Sequence, residues 1–371
     1  MTKAKLQLSI MMHFSDLVDP RTKTGNIQHS LSSILSIAVC GLISGCDHYV
    51  ATHAFAVANK DWLSTFLDLP NGIPSHDTFS RFFSRLKPGQ FQQYFINYIN
   101  SIRKFLLNEV IAIDGKTNRG SYSHKKDQDT IHIVSAYAAS QNLILGQVKV
   151  TEKSNEIPAI PELLKLLVVE GALVTIDAEG CQTAIAKAIV EKGADYCFAV
   201  KKNQPTVYNH CVETFADEEK EPGDISKCKG HGRIEIRSTS LSNDIPENIE
   251  IKFPFAQAII KIESIREIDN VPTLENRYHI TSSEKDVKYI ADSIRSHWGI
   301  ENLVHRQLDV VFKEDASRIR KGFGSENAST LRRLALVLMN MCHSVKGSLE
   351  VKRLKATWSN EVRLEILGGF I

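Results

Sequence analysis

The sequence predicts an α/β protein in which a mixed β-sheet is flanked by helices. Three observations predict this class. Apolar residues recur at helical spacing over the first 105 residues, short β-branched runs alternate with helical segments after residue 109, and a long amphipathic helix follows residue 286. Three consecutive strands followed by alternating strands and helices require both antiparallel and parallel pairing, so a mixed sheet is expected.

The first 105 residues are expected to form a helical N-terminal domain. A turn at Leu69–Pro74 is rich in proline and glycine, and Ser75 or Asp77 can cap the helix that follows it. The helices are predicted near residues 31–44, 48–68, 75–86 and 91–107.

Five β-branched or apolar runs then predict strands. They lie at Glu109–Asp114, Thr130–Ala139, Leu143–Val150, Leu173–Asp177 and Tyr196–Val200. Helices are expected at Pro158–Glu170 and Cys181–Lys192, which end at glycine residues.

The alternation breaks between residues 211 and 275, which we interpret as a small β insertion. The polar segment 216–230 is predicted as a loop, and strands are expected at 233–237, 249–251 and 258–268. A last strand at Arg277–Thr281 and a helix from about Asp286 to Phe312 follow. The predicted units are a helical domain at 1–105, a first core part at 106–210, the insertion at 211–275, a second core part at 276–350 and a tail at 351–371.

Composition narrows the class of protein. The 371 residues are 43% hydrophobic and 24% charged, as in ordinary globular proteins. Seven scattered cysteines without a C-x-x-C pair favour neither a disulfide framework nor a zinc knuckle, and a reducing cytoplasm fits them. The N-terminus lacks the apolar core of a signal peptide, and the most apolar stretch, Leu31–Cys46, is short for a membrane span.

The net charge of +2 is uneven, at +4 for residues 1–105, −7 for 106–275 and +5 for 276–371. Basic ends are compatible with DNA contact or with solvated surfaces.

Three isolated carboxylates stand where folding favours an apolar residue. Asp114 and Asp177 each end a β-branched run, and Glu301 falls among apolar residues of the long helix, between Trp298 and Leu308. A buried unpaired carboxylate costs roughly several kcal/mol, so a bound cation is expected, and a divalent metal is the simplest one. Because ligand sites of open α/β sheets collect at the carboxyl ends of strands, the two aspartates are expected on neighbouring strands.

Other interpretations of these residues stay open. Each aspartate precedes a glycine and can serve as a turn or helix-cap residue. His297, Glu301 and His305 are four apart, a spacing that a zinc site or an ordinary amphipathic helix would also show. Gly115-Lys116-Thr117 imitates the end of a phosphate-binding loop, but the required upstream glycine is Val110, so nucleotide binding is rejected.

Basic, amide and aromatic residues near the three acids are candidates for DNA contact. Phosphate contacts need such side chains and require no sequence code. The candidates are Lys116, Arg119, Lys201, Lys202, Asn203, Arg295, His297, Trp298, His305 and Arg306, with His231, Arg233 and Arg237 as candidates from the insertion.

Several motifs resemble the H-repeat-associated group of bacterial insertion-sequence transposases. They are Ile113–Thr117, Glu152–Glu156, Ile176–Gln182, His297–Asn302 with Leu308–Val310, and Leu69–Phe79 in the helical region. The likeness runs over nearly the whole chain. It implies a DDE transposase with a ribonuclease H-like core, here a mixed five-stranded sheet flanked by helices, in which Asp114, Asp177 and Glu301 occupy the D, D and E positions.

The resemblance has two departures. The family often shows His-Trp after the glutamate motif, where this chain has His305-Arg306, so a stacking contact would be lost. The Tyr-Arg-Glu-Lys signature of related transposases is absent, because its positions hold Ile294, His297 and Leu308 around Glu301. Roles assigned through that signature, including excision by a hairpin route, therefore do not transfer.

The expected function is transposition by metal-dependent DNA cleavage and strand transfer. The three acids are expected to hold two Mg²⁺ ions, with Mn²⁺ as a substitute. The expected partners are the terminal inverted repeats and target DNA, bound by a homodimer in the bacterial cytoplasm and not at a membrane. Two alternatives are a nuclease or resolvase that cleaves without joining, and a decayed element that only binds DNA.

Overall fold

The sheet at the centre of the protein is seen in a computed structural model that describes residues 17–21, 27–122, 130–150, 156–216, 221–230, 233–269 and 271–368. Nine strands are present within these residues: β1 Val110–Asn118, β2 Ile131–Ala138, β3 Leu143–Lys149, β4 Leu173–Ile176, β5 Asp195–Val200, β6 Asp224–Gly230, β7 Arg233–Ser242, β8 Ala258–Ile268 and β9 Val271–Thr281. Their order is β3-β2-β1-β4-β5-β9-β8-β7-β6. The β1–β4 and β4–β5 pairs are parallel and the others are antiparallel, so the sheet is mixed as predicted.

The insertion extends this sheet, which corrects the expected sheet of five strands. β9 pairs antiparallel with β5 from Cys197↔Thr281 to Val200↔Tyr278, and β8, β7 and β6 continue outward from β9. The expectation of five strands failed because the backbone groups of β5 facing away from β4 still need hydrogen-bond partners. β9 supplies those partners, and it brings the whole insertion into the same ladder.

Helices cover the sheet and fill the chain before and after it. They are α1 Leu31–Ile43, α2 Tyr49–Ala58, α3 Lys60–Leu63, α4 His76–Arg85, α5 Pro88–Ile102, α6 Ala159–Leu166, α7 Thr183–Val190, α8 Pro205–Thr214, α9 Glu247–Lys252, α10 Val287–Gly299, α11 Arg306–Val310, α12 Gly324–Met341, α13 Leu349–Trp358 and α14 Asn360–Gly368. A π-helical turn, Ile300–His305, joins α10 to α11. Ser75 caps α4 by accepting a hydrogen bond from the Thr78 amide, as the sequence suggested.

Helix α12 links the N-terminal helices to the sheet. It is buried around most of its circumference and packs against α1, α4, α5 and β3. A helix that is buried on all sides belongs to the interior of a core. As a result, one hydrophobic core contains residues from Leu17 to Leu367, and the helices before β1 share it with the sheet.

Within the insertion, two segments differ from the predicted structure. Residues 224–230 form β6 rather than a loop, because pairing with β7 compensates for their polar composition. Residues 247–252 form helix α9 rather than a strand. A strand would place Ile249 and Ile251 on one face, whereas the helix buries Ile249 together with Phe253 and leaves Ile251 73% exposed.

No helix in the described part of the chain combines the length and the hydropathy that crossing a membrane requires. The apolar segment identified in the sequence is α1, which has 13 residues and lies in the core.

Candidate catalytic site

Asp114 and Asp177 lie side by side on neighbouring parallel strands. The pairing of β1 with β4 ends at Ile113↔Ile176, and the next residue on each strand is the aspartate. β4 stops there, whereas β1 continues to Asn118, so Asp114 lies within its strand and not at the end that the sequence suggested. From Asp114 onward, the β4 side of β1 has no paired strand, and a gap opens at this edge of the sheet.

Asp177 serves as a turn residue and also faces this gap. Its Oδ1 accepts hydrogen bonds from the Glu179 amide at 3.1 Å and the Gly180 amide at 3.2 Å. These bonds fix the carboxylate through one oxygen. The turn interpretation and the site interpretation are therefore compatible at this residue.

Glu301 lies in the π-helical turn and is exposed, which corrects its expected place on the apolar stripe. The buried side chains here are Ile300, Val304 and Leu308, while Glu301 borders a cavity beside them. π-helical turns inside α-helices are rare and occur frequently at functional sites. The turn holds Glu301 at the rim of the gap beside the two aspartates.

All three carboxylates line a single cavity of about 750 Å³. Its other walls come from the ends of β4 and β5, from α10 and from the insertion strands β6 to β9. The charged and aromatic lining includes Lys201, Lys202, Arg237, Arg277, Arg295 and Trp298. The site thus combines an acidic floor with a basic wall.

The carboxylates are close enough to disfavour one another's charge. Burial is the largest cause that raises the pKa of Asp114, from 3.8 to about 7, and the charges of Glu156, Asp177 and Glu301 raise it further. A hydrogen bond from the Gly115 backbone opposes these effects. A cation in the cavity would relieve the repulsion between these groups.

Hard oxygen ligands of this kind suit Mg²⁺ or Mn²⁺. Within the described ranges, no group of three His, Cys, Asp or Glu side chains has a geometry that could hold a metal ion. The oxygen donors of the three carboxylates, and the repulsion between their charges, fit a divalent ion. The side chains must move closer together to bind it.

His297 and His305, whose spacing around Glu301 a zinc site would also show, make other contacts. His297 Nδ1 is 3.0 Å from Thr175 Oγ1, and burial lowers the pKa of His297. His305 is buried, with Nδ1 3.4 Å from Asp114 Oδ2. Burial lowers the pKa of His305 to about 3, so this ring is neutral and the contact is not an ion pair. His305 therefore lies behind Asp114 rather than on a DNA-facing surface.

Lys116 is also occupied within the protein. Its Nζ lies 2.8 Å from Asp309 Oδ1, 2.9 Å from Asp315 Oδ1 and 3.8 Å from Glu314 Oε2. The side chain is 8% exposed, so in this structure the ammonium is surrounded by three carboxylates and does not face the solvent.

Asn203 binds the loop that carries Asp177. Its Nδ2 donates to the Ala178 carbonyl oxygen at 2.7 Å, which joins the end of β5 to the turn after β4. The remaining basic candidates, Arg119, Lys201, Lys202, Arg295 and Arg306, are exposed. Two of them have partners within the protein, since Arg119 Nε lies 3.8 Å from Asp315 Oδ2 and Arg295 Nη2 donates to Cys228 Sγ at 3.0 Å.

Trp298 stands between two arginines, one from β7 and one from β9. The guanidinium carbons of Arg237 and Arg277 lie 5.4 Å and 4.9 Å from the centre of the indole ring. Arg237 was a candidate from its position in the insertion, whereas Arg277 was not identified. Cation–π contact of this type orients both side chains at the cavity wall. His231 lies outside the described residues, as does the side chain of Arg233.

Comparisons with known proteins agree on one family. The profile described as "Transposase DDE domain" matches residues 106–338, and the profile described as "DDE_Tnp_1-associated" matches residues 11–99. A protein of Escherichia coli O157:H7 provisionally named transposase YncI is 39% identical over 97% of this chain and 95% of its own. YhhI of E. coli K12, provisionally named an H repeat-associated transposase, is 36% identical over 97% of this chain and 98% of its own.

One solved structure also aligns with the chain. It is a cryo-EM structure of piggyBac transposase in a synaptic complex with hairpin DNA, with a TM-score of 0.45 and 10% identity. The alignment covers 100% of this chain and 82% of that one. At this level of similarity, it adds no argument about the site.

Proposed function

Because the chain belongs to the transposase DDE domain family, we propose that Asp114, Asp177 and Glu301 are its catalytic, metal-binding carboxylates. The chain is a DDE transposase, an enzyme that cleaves DNA and transfers strands, and this family implies the use of a divalent metal. The observation that supports the assignment is the adjacency of Asp114 and Asp177 on parallel strands, with Glu301 on the same cavity.

We further propose that the core is ribonuclease H-like. Antiparallel β1–β3 followed by parallel β4 and β5 support this proposal, with the insertion attached beyond β5. Residues 106–210 and 276–350 would form the catalytic core, and the helices before β1 would form the unit that binds the transposon ends. A groove between α2, α4 and the loop carrying Lys313, Arg318, Arg320 and Lys321 supports a DNA contact on this side.

In the proposed mechanism, Asp114, Asp177 and Glu301 would hold two Mg²⁺ ions, with Mn²⁺ as a substitute. The metal supplies activation of the attacking hydroxyl and stabilisation of the leaving oxygen during in-line attack on a phosphodiester. Lys201, Lys202 and Arg295 bind the phosphates that flank the reacting bond. The neutral His305 packs behind Asp114, with its Nδ1 3.4 Å from Asp114 Oδ2. Hydrolysis frees the 3′-ends of the element, and these ends then attack target DNA.

The partners follow from this chemistry. The substrate is double-stranded DNA, comprising the terminal inverted repeats and a target site. Two ends must be held together before joining, so a DNA-bound homodimer is proposed, acting in the bacterial cytoplasm at the nucleoid.

Cleavage and joining by purified protein test the proposal. DNA that carries the element's own flanking ends is incubated with Mg²⁺ and a target plasmid, using the wild type, Asp177→Asn and Glu301→Gln. We expect cleavage and joining by the wild type only. Glu179→Gln is the matched control, because Glu179 is exposed in the same loop as Asp177 and should stay active.

The same assay separates the alternatives. Cleavage without joining by the wild type would favour a nuclease or resolvase. DNA binding that is indifferent to Mg²⁺, with no cleavage in any variant, would favour a decayed element. Equal cleavage by the wild type and both acid variants would refute the assigned site.

Trp298 is expected to contact DNA at the cavity wall. Its ring is 37% exposed between the two arginines, so a base or sugar can reach it. Stacking on an aromatic side chain is worth about 1–3 kcal/mol per base, so Trp298→Ala should weaken binding to end DNA by roughly tenfold. Fluorescence anisotropy with labelled end DNA measures this change. The matched control is Trp358→Ala, which removes an exposed tryptophan of α13 outside the cavity lining. An equal effect of both substitutions would contradict a specific role for Trp298.

A further inference from the structure

Gly115 occupies a position in β1 where a side chain would displace the side chains of Glu156 and His132. A Cβ atom built there would lie 1.9 Å from Glu156 Oε1 and 2.5 Å from His132 Nε2. The backbone of Gly115 does not have a positive φ, so its conformation does not require glycine. A glycine inside a strand often marks the close approach of another group. Here, the approaching group is a Glu–His pair next to Asp114.

Glu156 and His132 form a hydrogen-bonded pair that Thr117 supports. Glu156 Oε1 lies 2.6 Å from His132 Nε2, and His132 Nδ1 lies 2.7 Å from Thr117 Oγ1. Both side chains are largely buried, at 13% exposure for Glu156 and 17% for His132. Among the described residues, no lysine or arginine forms an ion pair with Glu156, and its Oε2 has no hydrogen-bond partner. Within the described residues, one carboxylate oxygen is therefore anchored by His132 and the other has no partner, which leaves it able to bind a cation.

The position of this carboxylate relative to the acidic site is set by the sheet. Asp114 and Gly115 are consecutive in β1, so their side-chain positions face opposite sides of the sheet. His132 belongs to β2, which pairs with β1 on the side away from β4, so Glu156 approaches β1 from the β2 side. Gly115 directly follows Asp114, and the Glu156 carboxylate lies against Gly115, which places this carboxylate beside the acidic site. Asp114 thus lies between Asp177 on the β4 side and Glu156 on the β2 side.

We propose that Glu156 is a fourth carboxylate of the divalent-metal site, shared with Asp114, and that His132 is the positioning residue that holds it. This inference rests on the proposed function, because it presumes a metal site at Asp114. A ligating carboxylate is commonly oriented by a hydrogen bond from a neighbouring group, and the His132 contact supplies one. Gly115 is then the residue that leaves space for the pair.

Metal binding in the absence of DNA tests the proposal without any turnover. Mn²⁺ is titrated into the full chain by isothermal titration calorimetry, for the wild type, Glu156→Gln and His132→Gln. We expect Glu156→Gln to weaken Mn²⁺ binding at least tenfold, and His132→Gln to weaken it within the range of roughly 10–100-fold seen when a supporting group is lost. The matched control is Glu162→Gln, an exposed glutamate of α6, which should bind like the wild type.

Asp177→Asn, measured in the same titration, separates this inference from the proposed function. If Asp177→Asn weakens Mn²⁺ binding while Glu156→Gln does not, the pair is only structural and the inference fails alone. If Asp177→Asn binds like the wild type, the metal site itself is misplaced and both proposals fail. Thermal unfolding without metal checks that each variant is folded. Should Glu156→Gln not fold, Glu156→Asp replaces it: weaker binding by this shortened side chain supports the inference, and unchanged binding refutes it.

Discussion

Asp114→Asn is expected to abolish DNA cleavage and, at neutral pH, to make the metal-free protein more stable. The substitution removes a metal ligand, and a loss of about 4 kcal/mol in transition-state stabilisation corresponds to a ~10³-fold slower reaction. It also removes a charge that burial and three neighbouring carboxylates disfavour. Activity and stability should therefore change in opposite directions at this one residue.

The pH dependence of stability distinguishes this effect from ordinary mutational damage. Folding raises the pKa of Asp114 from 3.8 to about 7, so the folded state binds the proton more tightly than the unfolded state. The resulting stabilisation is complete below about pH 4 and is lost as the pH rises through 7, an effect on the order of 2–4 kcal/mol. Asn does not titrate, so the variant should lack this decline.

Thermal unfolding between pH 4 and pH 8, with EDTA and with Mg²⁺, measures both effects. With EDTA, the wild type should lose stability relative to Asp114→Asn as the pH rises. Added Mg²⁺ should restore the wild type at neutral pH, because a ligand that binds only the folded state stabilises it, and should not affect the variant. Parallel pH profiles for the two proteins in EDTA would contradict the raised pKa of Asp114.

Glu314→Gln is expected to destabilise the protein by about 3–5 kcal/mol, because it leaves buried cations without a counter-charge. Glu314 is 1% exposed, with Oε1 3.0 Å from Arg333 Nη1 and 2.8 Å from Ser329 Oγ. Burial raises the pKa of Glu314, but the charges of Arg333, Arg332 and Lys116 lower it more, so the net shift is downward. The stabilisation is therefore present above pH 4.5 and is lost as the pH falls below it.

Urea unfolding at pH 7 measures the loss of stability. The control is Asp315, a partly exposed carboxylate that also contacts Lys116. Asp315 lies 2.9 Å from Lys116 but is 31% exposed, so Asp315→Asn should cost only about 0–1 kcal/mol. Equal costs for the two substitutions would show that burial does not determine the strength of this network. Glu314→Gln should also weaken cleavage indirectly, because Lys116 and Asp114 lie on the same face of β1.

The adjacency of Asp114 and Asp177 could be predicted, because an apolar run followed by aspartate is a local signal of neighbouring strands that carry a site at their carboxyl ends. The exposed position of Glu301 could not, because helical spacing places it among apolar residues, whereas the π-helical turn at Ile300–His305 leaves it exposed. The Glu156–His132 pair could not be found this way. It depends on the register between β1 and β2, which places His132 opposite Thr117, and no spacing in the sequence reports that register.

Lys116 shows a second reason why sequence patterns fall short. Its place beside Asp114 suggested a phosphate contact, but Asp309, Glu314 and Asp315 reach it from almost 200 residues away. Long-range ion pairs depend on how helices and loops dock, which local spacing does not encode. The expected number of strands failed for the same reason, because the pairing of β5 with β9 crosses the whole insertion.

The continuous ladder from β5 through β9 to β6 also limits how this protein can be re-engineered. A chain shortened by cutting out residues 211–275 would keep Tyr278–Thr281, the part of β9 that pairs with β5, but would lose β8 and leave the outer hydrogen-bonding edge of β9 exposed. This part of β9 carries the buried side chains Tyr278 and Ile280, and an uncovered apolar edge strand is a template for aggregation. A minimal catalytic core should therefore keep the β8–β9 hairpin, and chimaeras between relatives should be joined at the outer end of that hairpin rather than at β5.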